Sequence, residues 1–551
     1  MTFRAALRAY GTAPSERDGR RWLFVPYDQL TDAVGPLSRD APESLGIVLV
    51  ECPEKAGRRP YHQQKLALLL TNLRHFALEQ AARGVSVRHV VASSYVAALQ
   101  AHPGPLEMMR PAERELRAEL APLVDSGKLR LLPHEGWLTT SEDFRQSQSG
   151  PPWRMDAFYR EVRRRTGLLM HGGQPLGGRF SFDTDNRQPW RGEPAAPAPP
   201  TFEVDDITRE VCSLVRERFA HHPGTLTPER LPATRADAQH LWAWAKRECL
   251  PSFGPFEDAM STRSRALFHT QVSALLNLQR ISAHQLVAEV SADPRIPLAS
   301  QEGFVRQILG WREYMHHVHD ATDGFRVLAG VVSPSARVPG DGGYARWAGT
   351  PWPTPEGGDG GSLASHLGAQ QPLPPAYWGA RSGLHCLDTV IASVWQDGYS
   401  HHITRLMVLS NLAMLLDVAP RELTDWFWAA YVDAYDWVVE PNVHGMGTFG
   451  VGDLLTTKPY IAGAAYIDRM SDYCEHCRFD PKTTCPITPL YWAYLGRHRA
   501  ALQQVPRLKL PMAAEAKRAD AQKQADARIY EETSQTLVRG GELAPKQRTL
   551  F

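Results

Sequence analysis

Residues 471–492 read SDYCEHCRFDPKTTCPITPLYW, a stretch whose three cysteines guide the interpretation of the whole chain. Cys474 and Cys477 form a C-x-x-C pair, and Cys485 follows eight residues later. The pair presents two sulfurs to one centre, and the third sulfur closes from the other side. Four-coordination needs one more ligand, and Cys386 is the only other cysteine in the C-terminal half. Thiolate-only sites suit zinc or an iron–sulfur cluster, and the spacing does not choose between them.

The composition is that of a globular protein with a balanced charge. The chain has 551 residues, enough for two or three domains that each bury a core. Its net charge is +1, so any affinity for nucleic acid must come from a local basic patch. The clustered cysteines do not resemble the disulfide framework of a secreted protein. The N-terminus lacks an apolar signal core and no segment is long enough to span a bilayer, so we expect a cytoplasmic protein with no membrane association.

The first 135 residues alternate strand-like runs with helical ones. RRWLFVPYDQL, LGIVLVEC and VSVRHVVAS are apolar runs of strand length, and an amphipathic helix over HQQKLALLLTNLRHFALEQAARG separates the last two. This strand–helix–strand order predicts a Rossmann-like parallel α/β domain over residues 1–135. Residues 1–135 contain no G-x-G-x-x-G and no Walker motif, so nothing in this unit marks a conventional nucleotide site.

Residues 136–235 are rich in proline and glycine, which break regular elements. We therefore expect an interdomain linker that contributes little to a core. Within it, FYREVRRRTGLLM predicts a short basic helix whose arginines are either a solvated face or contacts to phosphate. These arginines are Arg160, Arg163, Arg164 and Arg165.

Residues 236–510 have a helical pattern, and HITRLMVLSNLAMLL is apolar on nearly all sides, which predicts a helix inside a bundle. The Gly/Pro-rich segment 324–376 is long and polar, so we expect a mobile surface loop there. The tail over 511–551 predicts an exposed helix or a frayed end.

Several motifs in this helical part, taken together, resemble one family. GWREY at 310–314 is similar to the W-R-E-aromatic motif of the photolyase/cryptochrome flavoproteins, and FHTQVSALLNLQRIS at 268–282 to their flavin-phosphate segment. More specific are GYSHHITRLMVLSNLAML, EPNVHGM, TKPYIAGAAYIDRMSDYC and the four cysteines. This ordered set resembles the iron–sulfur bacterial branch, which comprises bacterial cryptochromes and (6-4) photolyases. The resemblance covers most of the chain and is strongest from about 300 to 500.

The resemblance implies an α/β antenna domain, a long linker and an all-helical domain over 236–510 that binds FAD and a [4Fe–4S] cluster. The implied activity is the light-driven repair of (6-4) photoproducts in UV-damaged DNA by electron transfer from photoexcited reduced FAD. We expect the protein to act as a monomer. A zinc site of the same four thiols remains the alternative that the residues alone leave open.

The resemblance also implies roles for individual residues. His402, the second histidine of the H-H pair, is the implied proton donor at the lesion, since imidazole donates or accepts protons near neutrality. Tyr460 and Tyr466 are implied near the flavin and lesion pocket, and Met446 against the lesion. Without the family, such residues are more typical of surfaces or cores. The residues implied to bind FAD are Arg312, Ser273 and Thr270 at the phosphates, and Arg405 and Asp433 beside the isoalloxazine.

Trp426 and Trp378 are the implied electron donors to the flavin, whereas we expect Trp395 and Trp428 to be core residues. Phe427 follows Trp426, so a family relay that uses tyrosine at this point is altered here. At the position expected to face flavin N5, where the family often carries a polar side chain, this chain has Val439, with Glu440 beside it.

The family branch commonly binds 6,7-dimethyl-8-ribityllumazine as an antenna pigment in its α/β domain. Asp28, Gln29 and Glu51 lie near predicted strand ends, where parallel sheets bind ligands. Each of the three is equally typical of a helix cap or a solvated charge.

Two further functions compete with DNA repair. A cryptochrome-like blue-light photoreceptor would keep the cofactors without repair, and the presence of His402, Tyr460 and Tyr466 favours repair over it. With the family set aside, the cysteines also fit a zinc-stabilised nucleic-acid-binding protein.

Overall fold

The computed structural model describes residues 1–11, 19–328, 331–353 and 360–545. Its N-terminal part is built on a five-stranded parallel sheet, in the order β3-β2-β1-β4-β5. The strands are β1 (Arg21–Phe24), β2 (Leu45–Glu51), β3 (Ser86–Val91), β4 (Leu106–Met109) and β5 (Leu129–Leu132). The rest of the chain is mainly helical, so the predicted combination of an α/β unit with an all-helical region is confirmed.

The sheet has the composition of a parallel sheet covered on both faces. Every residue of β2, LGIVLVE, is buried, as expected for a central strand between layers of helices. The long helix Gln63–Ala82 begins at His62, whose ring accepts the main-chain N–H of Gln64 at 3.0 Å. The helices of this unit are Phe3–Ala9, Pro36–Arg39, Pro53–Ala56, Gln63–Ala82, Tyr95–Gln100 and Arg114–Asp125.

The α/β unit and the helical region share a buried boundary. The amine of Lys65 donates to the main-chain oxygens of Trp428, at 2.8 Å, and Ala434, at 2.7 Å. The main-chain N–H of His62 donates to Ala429 at 2.8 Å. Hydrogen bonds between residues more than 360 positions apart therefore fix the N-terminal unit against the helices that follow.

The helical region consists of α-helices interrupted by π-helical stretches. The α-helices from residue 235 onward are Arg235–Trp244, Leu250–Phe253, Ser273–Asn277, Ala283–Ala292, Leu298–Val305, Glu313–Ala321, Tyr344–Ala348, His385–Asp397, His402–Thr404, Asn411–Leu415, Pro420–Ala430, Asp436–Val439, Ala464–Met470, Ile487–Arg497, Arg499–Leu502, Lys509–Ala516 and Asp520–Val538. The π-helical stretches are Ala245–Cys249, Arg306–Arg312, Arg405–Ser410 and Glu440–Gly447. Among the described residues, no helix is both long and apolar enough to cross a bilayer.

The segment 136–235 contributes more to the core than its composition predicts. It forms the helices Ser141–Ser147, Met155–Thr166 and Asp206–Arg218, and the last of these packs on Gln63–Ala82. The basic-helix prediction holds, but Arg163 is buried and donates to the main-chain oxygens of Leu168, Leu169 and Phe180. A role in phosphate binding is therefore wrong for Arg163, because its guanidinium already closes the following turn.

The expectation of a mobile surface loop is wrong for the described part of 324–376. Arg346 pairs with Glu422 at 2.7 Å, and Trp352 is buried. Gly342 has φ +59° and comes so close to the helix Pro420–Ala430 that an added Cβ would lie 2.6 Å from the backbone of Trp426. Glycine permits this approach, so the same residues that suggested a loop allow tight docking. Residues 329–330 and 354–359 lie outside the described residues.

The tail is also packed along much of its length. Helix Asp520–Val538 lies on Ile487–Arg497, with Thr533 and Leu537 buried. The Tyr530 hydroxyl donates to Asp417 at 3.1 Å. The prediction of a frayed end therefore does not hold for this helix. Residues 546–551 lie outside the described residues.

Candidate cofactor cavities and cysteine site

A cavity of about 300 Å³ lies within the helical region, and we call it the helical cavity. Three of the four π-helical stretches in the described chain form its walls, those of 306–312, 405–410 and 440–447. π-Helical turns often occur at functional sites because they displace side chains from the regular helical positions. The residues implied to bind FAD all line this cavity, namely Thr270, Ser273, Arg312, Arg405 and Asp433.

Three of these residues interact on one wall, through an ion pair and a hydrogen bond. The two terminal nitrogens of Arg405 contact the two carboxylate oxygens of Asp433 at 3.1 and 3.0 Å. The Ser273 hydroxyl donates to the same carboxylate at 2.7 Å. Burial alone would raise the pKa of Asp433, but Arg405 and Ser273 hold it below its ordinary value. Ser273 thus serves the carboxylate in this structure, rather than standing free for a phosphate.

Arg312 presents an incompletely satisfied cation to the cavity. Its guanidinium lies 4.1 Å from the centre of the Trp137 ring and 5.3 Å from that of Trp437, and one terminal nitrogen contacts Glu313 at 3.1 Å. Its Nε is buried and has no partner among the described residues. Burial lowers the pKa of Arg312 to about 10. An anionic ligand would relieve this desolvation, so the residue fits a pyrophosphate.

Sequence reasoning missed Gln271, which lies on the same wall. Its backbone is left-handed, with φ 56°, and its side-chain Nε2 is buried without a partner among the described residues. A strained non-glycine residue that points an unsatisfied donor into a cavity is typical of a ligand site. Its place between Thr270 and Ser273 was the available signal, but no sequence pattern predicts a positive φ at glutamine.

Three histidines lie together at the rim of the helical cavity. His269 and His401 are buried and stacked with ring centroids 4.4 Å apart, and His402 lies 5.3 Å from His269. Nitrogens of the three rings lie within 4.8 Å of one another. Burial lowers the pKa of both His269 and His401 well below the ordinary value, which keeps those rings neutral. His402 is the partly exposed member, and its Nε2 lies 3.5 Å from Asp258, another residue that the sequence did not single out.

The two predicted tyrosines lie near His402 but not on the cavity wall. Asp258 adds to the burial that raises the pKa of Tyr466, and Asp183 does the same for Tyr460. Arg187 lies beside both tyrosines and contacts Asp258 at 3.7 Å. Asp258 therefore links His402 to Tyr466, and the cation of Arg187 acts on both tyrosines.

The structure places Val439, Met446 and Glu440 on different sides of their shared helix. Val439 and Met446 line the helical cavity. Glu440 instead accepts from Arg421 and from His319, each at 2.9 Å, in a buried ion network. Burial alone would raise the pKa of Glu440, but His319 and Arg421 hold it well below its ordinary range. The cavity wall is therefore apolar at Val439 and Met446, and Asn442, between them in sequence, adds a polar side chain to it.

Trp426 and Trp378 are connected by a ring that the sequence assigned to the core. Trp395 lies 6.0 Å from Trp426 and stacks on Trp378 at 4.9 Å between ring centroids. On the cavity side, Trp426 contacts Phe427, at 5.1 Å, and Tyr431, at 6.0 Å, and both of these line the cavity. Trp395, which we expected to be a core residue, packs partly buried against the main hydrophobic core, and there it lies between the two implied donors.

The four cysteines come together from distant parts of the chain. Cys386 lies in helix His385–Asp397, and the other three lie before helix Ile487–Arg497. Burial, and then repulsion from the thiolates of the other three, raises the pKa of Cys386 well above its ordinary value. No three of these four sulfurs, all described, lie within 4.8 Å of one another. Around a single tetrahedral zinc the sulfurs would be about 3.8 Å apart. The set is therefore more open than a zinc site.

A second cavity, of about 320 Å³, lies in the α/β unit, and we call it the sheet cavity. Its polar groups are largely paired with one another. Glu51, which lines it, accepts from Arg74 at 2.7 Å and lies 3.0 Å from a ring nitrogen of His89. Burial alone would raise the pKa of Glu51, but His89 and Arg74 hold it at about 2. Aromatic rings complete the wall, among them Tyr27, Tyr95 and Tyr435.

Of the three residues predicted for the antenna pigment, only Glu51 lines the sheet cavity. The side chain of Gln29 donates to the main-chain oxygen of Met109 at 2.9 Å. Asp28 is buried with both carboxylate oxygens unpartnered among the described residues, and burial raises its pKa to about 7. Asp28 and Gln29 therefore do not line this cavity, whereas the neighbouring Tyr27 does, and their role at the pigment stays a prediction.

Comparisons with known proteins agree with this arrangement. The family model of the deoxyribodipyrimidine photo-lyase-related proteins matches residues 23–231. A (6-4) photolyase of Agrobacterium fabrum is 33% identical over 513 residues, which cover 89% of this chain and 94% of that protein.

Two solved structures share the fold at 14% identity. A bacterial class III photolyase from Agrobacterium tumefaciens has a TM-score of 0.52 and covers 96% of this chain and 100% of its own. A Synechocystis cryptochrome has a TM-score of 0.54, with 94% and 98% covered. The relationship supports a function of the photolyase/cryptochrome type, and the family implies FAD as a cofactor. The chain belongs to the photolyase/cryptochrome superfamily, among the deoxyribodipyrimidine photo-lyase-related proteins.

Proposed function

We propose that this protein repairs (6-4) pyrimidine photoproducts in UV-damaged DNA with light, as a monomer that binds FAD in the helical cavity. The observation that carries the proposal is the position of His402, which lines that cavity, is partly exposed and contacts Asp258, the carboxylate that also acts on Tyr466. When bound, FAD supplies the light absorption and the electron, and the protein supplies binding, orientation and electrostatics.

FAD would be held by groups of both charges. Arg312 and Gln271 offer unpartnered donors to the pyrophosphate, and Thr270 lines the same cavity. The Arg405–Asp433 pair offers a fixed cation and anion to the flavin ring. Because Val439 is apolar, no side chain at that position can hold a proton at flavin N5. These donors fit a polyanionic dinucleotide better than a neutral ligand.

His402 would donate the proton that the lesion needs when its hydroxyl returns to the partner base. Asp258 contacts the ring at 3.5 Å and can orient it. His269 and His401 are buried neutral rings, so they place no fixed charge beside His402. We assign proton donation to His402, and not to His269 or His401, because His402 is the member of the three that is only partly buried.

DNA would bind the surface around the two tyrosines, where the chain carries a local basic patch. Burial, and then the nearby cations of Arg507 and Arg187, lowers the pKa of Lys458. Arg469 lies 5.6 Å from the centre of the Tyr466 ring. Phosphate groups would relieve this crowding of positive charge. A damaged base pair is already poorly stacked, so flipping it toward His402 costs only a few kcal/mol.

The four cysteines would hold a [4Fe–4S] cluster, and the open spacing of their sulfurs supports a body larger than one zinc ion. A positive inorganic centre would also stabilise the thiolates, whose mutual repulsion opposes their ionisation. We assign the cluster a structural role, because it ties helix His385–Asp397 to the start of Ile487–Arg497.

The sheet cavity would bind the antenna pigment 6,7-dimethyl-8-ribityllumazine. Its wall combines tyrosine rings with charged groups such as Glu51 and Arg74 that are paired with each other, and the buried Tyr27 hydroxyl has no partner among the described residues, which suits a heteroaromatic ligand without a phosphate. Tyr27 and Tyr435 are stacked with their ring planes 14° apart and present parallel rings to such a ligand.

The test is an illuminated repair assay on matched duplexes that contain either one (6-4) photoproduct or one cyclobutane dimer. We expect blue light to restore the (6-4) duplex, with no repair in the dark. Repair of the cyclobutane dimer alone would contradict the lesion class. A protein that binds FAD and responds to light but repairs neither duplex would instead be a photoreceptor of the cryptochrome type.

A further inference from the structure

The implied outer donor of the relay, Trp378, is buried in this protein. Its side chain is 4% exposed, and its indole N–H donates to the main-chain oxygen of Gly342 at 2.8 Å. Gly342 belongs to the segment 324–376, which therefore covers the ring. A positive charge that arrived at Trp378 would have little direct access to a reductant in solvent.

The covering segment itself continues the series of rings to the surface. The Tyr344 ring lies 4.7 Å from Trp378, and Trp347 lies 6.4 Å from Tyr344. Trp347 is 44% exposed, which makes it the most exposed ring of the series. Each of these contacts falls within the range of directly packed aromatic pairs. An unbroken row of rings thus runs from the helical cavity to solvent.

We infer that segment 324–376 completes an electron conduit, with Tyr344 as its bridge and Trp347 as its solvent end; this inference rests on the proposed function. An electron passes from Trp426 to the photoexcited oxidised flavin, and the resulting hole moves outward through Trp395 and Trp378. At Trp347 a thiolate reductant in solvent returns the electron. Two thiolates that each lose one electron in this way join as one disulfide. The two protons of the parent thiols pass to solvent.

The electrostatic environment of this row of aromatic rings stabilises a ring that has lost an electron. The indole N–H groups of Trp426 and Trp395 both donate to the main-chain oxygen of Tyr377, each at 2.9 Å. The negative end of that carbonyl stabilises positive charge on either ring. His62 stacks on Trp395, and burial lowers the pKa of His62 to about 4, so it adds no opposing charge.

Trp428 shows the contrast, because the cation of Arg59 lies 3.6 Å from the centre of its ring. A fixed positive charge at that distance opposes removal of an electron. The structure thereby separates Trp395, which can carry the hole, from Trp428, which packs in the same region but cannot.

The experiment compares blue-light photoreduction of the bound flavin by dithiothreitol in wild type, Tyr344→Phe and Trp347→Phe. Trp352→Phe is the matched control, since Trp352 also contacts Tyr344, at 5.4 Å, but is buried. Electron paramagnetic resonance of frozen illuminated samples detects the protein radical. Mass spectrometry measures light-dependent oxidation at Trp347.

We expect Tyr344→Phe and Trp347→Phe to slow photoreduction roughly threefold or more at unchanged flavin content, with Trp352→Phe at the wild-type rate. The radical at Trp347 and its oxidation should disappear in Tyr344→Phe. Wild-type rates and radical signals in both variants would overturn the inference and leave the proposed function intact. A wild-type protein that binds no flavin would overturn both.

Discussion

The two cavities have nearly the same volume but differ in how their charged side chains are paired. In the sheet cavity the charged side chains satisfy one another, as in the contacts of Glu51 with Arg74 and His89. In the helical cavity Arg312 and Gln271 keep buried nitrogens without partners among the described residues. Unsatisfied buried donors are costly unless a ligand completes them. The difference indicates that the helical cavity is built for an anionic cofactor and the sheet cavity for a ligand held mainly by its rings.

The largest expected effect is on the reaction at the rim of the helical cavity. His402→Ala should keep FAD and lower (6-4) repair about 100-fold or more, because it removes the proton donor. The assay is the illuminated repair of a (6-4) duplex, with bound flavin measured in the same sample. His240→Ala, at an exposed histidine that lines neither cavity, is the control. Full repair by His402→Ala would remove this residue from the mechanism.

The next largest effect is expected on stability, when one ion pair of each cavity is broken. Asp433→Asn leaves the cation of Arg405 without its carboxylate and should lower the free energy of unfolding by about 3–5 kcal/mol. Glu51→Gln should cost less, because Arg74 keeps Glu210 at 2.8 Å. Denaturant unfolding of both variants measures the difference. An equal loss of stability in the two variants would contradict the expectation that Glu210 compensates at Arg74 for the loss of Glu51.

The pH dependence of stability gives a third comparison, behind the sheet cavity. An unfolded aspartate ionises near about 3.9, whereas Asp28 in the folded protein does so at about 7. Between these values the unfolded chain has lost a proton that the folded protein keeps, so stability falls as pH rises, by up to about 4 kcal/mol. Asp28→Asn stays neutral, and its gain in stability should be larger at pH 8 than at pH 5. A gain that is the same at both pH values would contradict the raised pKa.

The smallest effect is expected from closing the sheet cavity. Leu69→Trp places a large ring in that cavity and should exclude a pigment while leaving the flavin in place. We expect unchanged repair under saturating light and slower repair when light is limiting. Repair rates at several light intensities measure this. Loss of flavin from Leu69→Trp would show that the two cavities are not independent.

The sequence predicts the elements of this protein better than the contacts between them. Periodicity predicts the parallel α/β unit and the helical region, and the family motifs place five residues on one cavity wall. The positive φ of Gln271 and the contact of Asp258 with His402 could not be predicted, because both depend on contacts remote in sequence. The position of Trp395 between Trp378 and Trp426 could not be predicted for the same reason, since the three rings meet only through packing of three separate helical segments.

At segment 324–376 and at the linker, the glycine and proline content predicts less packing than the structure shows. These residues break helices and strands, but they also allow close approach, as Gly342 does against Trp426. Composition therefore predicts irregular backbone there and gives no information on burial.

The most direct test of the account is the flavin content of purified wild type, Arg312→Ala and Leu69→Trp. The account predicts one FAD per chain in wild type and in Leu69→Trp, and little or none in Arg312→Ala, because the cation that faces the pyrophosphate is gone. Retention of FAD by Arg312→Ala together with its loss from Leu69→Trp would place the flavin in the sheet cavity and contradict the account.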